Sequence, residues 1–143
     1  MKFARWTFLL AGIWGIVVLS PLYFLEKFIG AQHPPAITHP EYFYGFIGVA
    51  LAWQILFLII ASDPARYRGV MLVGTIEKFA FVLAVYVLFA KQRVEASITV
   101  AATIDLLLGI LFIIAYVRTS AVGPSPRSAE EPELAEGSCP VSC

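Results

Sequence analysis

Gly69–Ala90 reads GVMLVGTIEKFAFVLAVYVLFA: twenty-two residues, only two of them charged, and those adjacent at Glu77 and Lys78. A bilayer hydrocarbon core of ~30 Å takes about 20 apolar residues wound as a helix. A helix on the outside of a soluble bundle would instead carry a charged face along its length. Three further stretches share the pattern. Trp6 to Leu25 and Tyr42 to Ser62 hold no charge, and Ala96 to Val117 holds only Asp105. The four stretches occupy about three-fifths of the 143 residues. They predict an all-α fold, a four-transmembrane-helix bundle over 1–118 with spans near 6–25, 42–62, 69–90 and 96–117.

The composition excludes much else. Apolar residues make up 59% and charged residues 14%, against roughly 25% charged in soluble domains. Mean hydropathy is +0.81. A chain this short could not hide so much apolar surface from water. Ten basic and ten acidic residues sum to a formal charge of zero, so binding to nucleic acid through bulk positive charge is excluded.

Lys2 and Arg5 ahead of an apolar run resemble a secretory signal. The run is about 20 residues, against ~7–15 in a signal core, and no A-x-A site follows it. A retained first helix is expected, with Pro21 kinking or ending it. Lys and Arg counts then set orientation. With the N-terminus inside, Lys2, Arg5, Arg66, Arg68, Arg118 and Arg127 lie inside, and Lys27, Lys91 and Arg93 outside. Six against three favours both termini in the cytoplasm. Trp6, Tyr23, Tyr42, Tyr44, Tyr67 and Tyr116 fall near span ends, where interfacial anchors belong.

Between the first two spans, Glu26 to Glu41 contains His33-Pro34-Pro35 and His39-Pro40-Glu41, and its prolines suggest an extended, stiff loop. His33 and His39 lack metal-ligand spacing, and no span contains a histidine, so neither a metal nor a cofactor is expected. In the next turn, Asp63-Pro64 is a helix-start signal that would begin the third helix at Pro64. It would place Arg66, Tyr67 and Arg68 at the interface, with Arg66 and Arg68 as candidate contacts to anionic lipid headgroups. The segment 119–143 is rich in Ser, Pro and Glu, carries a net −3 and lacks aromatics, which predicts a disordered cytoplasmic tail. Cys139 and Cys143 fall within it, and their role does not follow from the sequence.

Glu77, Lys78, Asp105 and the neutral Gln54 form a candidate intramembrane polar cluster. Charged groups mid-span cost ~2.5–3.5 kcal/mol each on insertion scales. By the helical rise, Gln54 and Glu77 lie ~12 Å, Lys78 ~13–14 Å and Asp105 ~20 Å from the inner ends of their spans. A long lysine side chain covers most of that gap, so Lys78 is expected to pair with Asp105 or with a carboxylate on a neighbouring helix. Glu77 and Lys78 point about 100° apart, so they should not both face one partner. Gly74, Glu77, Ala80 and Ala84 form one stripe; Ala101, Ala102, Asp105 and Gly109 a second; Ala50, Gln54 and Ala61 a third. Gly45, Gly48 and Ala52 on the second helix, with Ala11 and Gly15 on the first, would let helices approach closely.

Glu41-Tyr42-Phe43-Tyr44-Gly45-Phe46, Ala50-Leu51-Ala52-Trp53-Gln54, Asp63-Pro64-Ala65-Arg66-Tyr67-Arg68, Glu77-Lys78 and Asp105 together resemble an uncharacterised family of small bacterial inner-membrane proteins with four predicted transmembrane helices. The resemblance covers roughly residues 6–118. It implies a multi-pass protein of the bacterial inner membrane and brings no substrate. Where that family has proline after the second arginine of the turn, this chain has Gly69. In size and span count the chain is also similar to DoxX-like proteins and small multidrug exporters, although the exporters' membrane glutamate lies in their first helix and Glu77 in the third.

Three functions stay open. With no nucleophile–base pair, metal set or phosphate loop, the first is a non-catalytic binding or organising protein in contact with membrane lipids. The second is a small proton-coupled transporter, for which four spans would require a homodimer. The third is a membrane enzyme or accessory handling a lipid or quinone, with Trp53 and nearby aromatics against the ligand.

Overall fold

A computed structural model of the protein describes residues 2–32 and 37–119. Residues 120–143 of the expected disordered tail, with its two cysteines, and the His33-Pro34-Pro35 segment lie outside the described residues, while Thr119, expected to open the tail, is buried against the end of the last helix. Within them the chain is helical and contains no strand. Its helices are α1 (Lys2–Leu19), α2 (Glu26–Gln32), α3 (Pro40–Ser62), α4 (Arg68–Ala90) and α5 (Ala96–Arg118), with a 3-10 turn at Ser20–Phe24 extending α1. Lys2–Phe24 and the helices α3, α4 and α5 are each 23 residues with mean hydropathy between 1.9 and 2.5, long and apolar enough to cross a membrane. Large apolar side chains such as Trp6, Leu10, Val17, Val49, Ile76, Leu83, Val100 and Val117 face outward. Water would penalise such a surface and acyl chains would not. The fold is a four-helix bundle of a multi-pass integral membrane protein.

Several local expectations need correction. The first connection is not extended throughout, because α2 occupies Glu26–Gln32. The prolines of that connection restrict only themselves and their predecessors, and Glu-Lys-Phe-Ile-Gly-Ala-Gln contains none. Glu26 lies in the first turn of α2, where a carboxylate suits the helix dipole, and it accepts a 2.7 Å hydrogen bond from the Tyr44 hydroxyl of α3. Pro40 opens α3, needing no N–H there. The third span runs Arg68–Ala90, within one residue of the expected 69–90, but its helix starts at Arg68 and not at the Pro64 helix-start signal. The Asp63 carboxylate does accept a backbone hydrogen bond, from the Arg66 N–H at 3.2 Å, but the turn it closes stops at Tyr67, whose backbone at φ −96° and ψ 17° leaves the helical region.

At its other end α4 closes on the Arg93 N–H bonded to the Leu88 carbonyl (2.9 Å) and the Gln92 N–H bonded to that of Phe89 (2.8 Å). That pairing requires a left-handed residue, usually glycine, and Gln92 supplies it at φ 54°. Gln92→Gly is therefore expected to stabilise the fold by about 1 kcal/mol, seen as a higher unfolding midpoint in detergent.

The bundle is two antiparallel pairs, α1 along α3 and α4 along α5. α1 also touches α5, while α3 meets α4 sparsely. The pairs join most tightly at the end carrying Lys2, Arg66, Arg68 and Arg118. There Phe8, Phe57 and Phe112, all fully buried, fill the centre with Ala4, Ala11, Ile60, Ala61, Met71 and Ala115. Phe8 stacks on Phe112 with centroids 4.1 Å apart, and Phe57 meets Phe112 edge-on at 5.0 Å. Gly74 makes room for this: a Cβ there would lie 2.9 Å from the Phe57 ring. The small-residue stripes are only partly those read from the sequence. The buried face of α4 runs through Met71, Gly74, Thr75, Lys78, Val82 and Val85, leaving Ala80 and Ala84 exposed. On α5 it runs through Ala102, Gly109, Phe112 and Ala115, with Ala101 exposed. Gly45 and Ala52 are exposed as well. Small residues permit close approach, but larger side chains choose the contact face through the volume they fill.

Candidate functional site

Lys78 is the residue around which the polar groups gather. It sits mid-way along α4 on the buried face, and its side chain is only 6% exposed. Its Nζ lies 3.1 Å from Asp105 Oδ1 on α5 and 3.4 Å from Glu77 Oε2. The ring of Phe57 on α3 is 5.4 Å from the ammonium, a third favourable contact for the cation. The axial offset between Lys78 and Asp105 is thus closed by the lysine stem. Glu77 and Lys78 leave the helix in different directions, yet their long side chains bend back together, so the angular separation of neighbouring Cβ atoms does not keep their charges apart. Gln54, 3% exposed, hydrogen-bonds to its own helix. Its Nε2 donates to the Ala50 carbonyl one turn earlier (3.1 Å), and its amide lies over Gly15 of α1, where a Cβ would collide with it.

All four residues face one cavity of 290 Å³ between the helix pairs. Its floor is Ala11, Gln54, Glu77, Lys78, Asp105 and Leu108, resting on the Phe8–Phe57–Phe112 cluster. Its walls rise through Trp14, Gly15, Val18, Ala50 and Ile104 toward Leu22, Phe46, Phe81 and Ala101. Phe46 and Phe81 stack across the sparse α3–α4 seam with centroids 6.5 Å apart. Trp14 and Ile104, on α1 and α5, line the cavity while remaining 51% and 37% exposed. Beyond the rim, Tyr23 stacks on Tyr44 at 5.8 Å, holding the 3-10 turn against α3. The site is an apolar chamber with charge at its floor, the composition small-molecule pockets usually have.

The aromatic lining was the part sequence reasoning missed. Phe81 follows Lys78 by three residues, and Gln54 lies eight beyond Phe46, so shared helical faces were the available signal. Trp53, the ring expected against a ligand, packs on Phe57 at 6.3 Å and does not line the cavity.

Arg66 and Arg68 have different surroundings. Arg68 Nε donates 2.6 Å to the Thr119 carbonyl, just past the end of α5, and its guanidinium stacks 3.8 Å from the Tyr116 ring. Its charge is therefore spent on the helix C-terminus, where cations are favoured. Arg66 is exposed beside Tyr67, at 5.6 Å. Among the described residues no group of three or more His, Cys, Asp or Glu is arranged to hold a metal ion. Compared with known proteins, the chain matches no family model, no curated protein and no solved structure.

Proposed function

We propose that this protein is a non-catalytic binding protein of the membrane, taking a single-chain amphiphile into the chamber between its helix pairs. The observation that carries the reading is the 290 Å³ chamber with apolar walls and a charged floor at mid-span. Its volume is at the lower limit of small-molecule sites, ~300–1,000 Å³, which suits one chain better than a two-chain lipid. The Phe8–Phe57–Phe112 cluster fills the bundle between the floor and the arginine-bearing end, which favours binding over a through-path for transport. The Lys and Arg count supports an arginine-bearing end in the cytoplasm. The family resemblance supports the bacterial inner membrane as the location, and exposed Arg66 is suited to anionic headgroups there.

The test is saturable binding. With Trp6 and Trp53 replaced by Phe, Trp14 reports on the chamber wall. In phosphatidylcholine nanodiscs, added decanol should shift Trp14 emission to a plateau, and Ala50→Phe, which projects a ring into the chamber, should abolish the shift while helical circular dichroism is kept. A linear response that Ala50→Phe leaves unchanged would mean decanol meets Trp14 only from the surrounding lipid, and the reading fails.

A further inference from the structure

The chamber's formal charges do not cancel. Lys78 brings one positive charge, and Glu77 and Asp105 bring two negative ones. Asp105 holds the closer contact, at 3.1 Å against 3.4 Å, so it is the natural counter-ion of Lys78. The ammonium itself, on a side chain 6% exposed, offers almost no surface to an incoming molecule. Glu77 is then the surplus carboxylate. Its side chain is 20% exposed, close to the 22% of Asp105, and lines the chamber. Its Oε2 is buried beside the Lys78 ammonium at 3.4 Å and receives no hydrogen bond from any described residue, so its other oxygen is the one left to a chamber ligand.

The chemistry of the missing partner follows by elimination. An anion would face two carboxylates and would have to displace Asp105 from Lys78. An alcohol offers a donor but leaves the surplus charge standing. A quaternary ammonium balances the charge but has no N–H to give. An N–H-bearing ammonium does both, and a charge-assisted hydrogen bond in low-dielectric surroundings is the strongest kind available to such an acceptor. Toward the rim, Trp14, Phe46 and Phe81 provide ring faces and apolar wall for an alkyl chain. We infer that the chamber selects a single-chain amphiphile with a primary or secondary ammonium head, which donates its N–H to the Glu77 carboxylate while its chain lies toward Phe46 and Phe81. This rests on the binding function proposed above.

Four ten-carbon probes separate the possibilities, using the same Trp14 reporter in zwitterionic phosphatidylcholine nanodiscs, whose surface does not concentrate cations: decylamine, decyltrimethylammonium, decanol and decanoate. Decylamine should bind at least tenfold more tightly than each of the others. Glu77→Gln should bring decylamine to within threefold of decanol, with helical circular dichroism and the unfolding midpoint in detergent showing that the variant is folded. Equal binding of decyltrimethylammonium or decanol, tighter binding of decanoate, or indifference of decylamine to Glu77→Gln would each overturn the inference. In those cases saturable decanol binding would leave the chamber's binding function standing. If no probe saturates, both fall.

Discussion

Asp105→Ala is expected to destabilise the protein by ~3–5 kcal/mol, the cost of leaving a buried charge without its main partner. Lys78 then retains Glu77, at 3.4 Å and without good hydrogen-bond geometry, and the Phe57 ring at 5.4 Å. Its ammonium has no simple way out. Lys78 is about ten residues from either end of α4, or ~15 Å by the helical rise, too far for its stem to carry the charge to an interface. The loss should appear as a lower unfolding midpoint in mild detergent. Asp105→Glu, which keeps the charge at the cost of one methylene, should lose much less. If Asp105→Ala and Asp105→Glu were equally mild, the ion pair would contribute little to the bundle.

Phe57→Ala should cost ~2–3 kcal/mol, toward or below the low end of the range for aromatic truncation in water-soluble cores. The value is reduced because the reference environment is lipid and not water, so lost van der Waals packing dominates over transfer. The ring touches three other elements: Phe8 on α1 at 5.9 Å, the Gly74 surface of α4, and Phe112 on α5 at 5.0 Å. It also lies 5.4 Å from Lys78 Nζ. Its removal loosens the joint between the helix pairs and the support beneath the ammonium at once. Phe46→Ala, on the exposed rim, should cost less than 1 kcal/mol because the lipid-facing half of that ring already has solvent chains as neighbours. Comparing the two by denaturation in detergent separates the sealed end of the bundle from the open one.

The spans were legible because no span carries a charged face along its length and only Glu77, Lys78 and Asp105 interrupt them, a signal that does not depend on knowing which face points where. Their ends were read to within four residues, although the helix start expected at Pro64 was not. Asp63-Pro64 carries a true capping signal, and the carboxylate does take a backbone N–H, but nothing in the sequence marks Tyr67 as the place where that turn stops. The pairing of Lys78 with Asp105 was within reach of simple helical arithmetic, since Lys78 is the only cation and Asp105 the only charge of their respective spans. The chamber was not. It arises where the pairs α1–α3 and α4–α5 diverge beyond the Phe8–Phe57–Phe112 cluster, and divergence is a property of how four surfaces fit together. Likewise, Arg68 reads as an interfacial anchor in sequence, and only the return of α5 to Thr119 reveals the carbonyl it caps.

The central claim, that Lys78 and Asp105 hold each other inside the bundle, is tested most directly by a double-mutant cycle. Lys78→Met, Asp105→Asn and the pair together are measured by equilibrium unfolding in the same detergent. Coupled groups should give an interaction of at least ~1.5 kcal/mol, with the double variant recovering part of what either single change loses. Effects that add to within ~0.5 kcal/mol would mean that the two side chains do not meet in the folded protein.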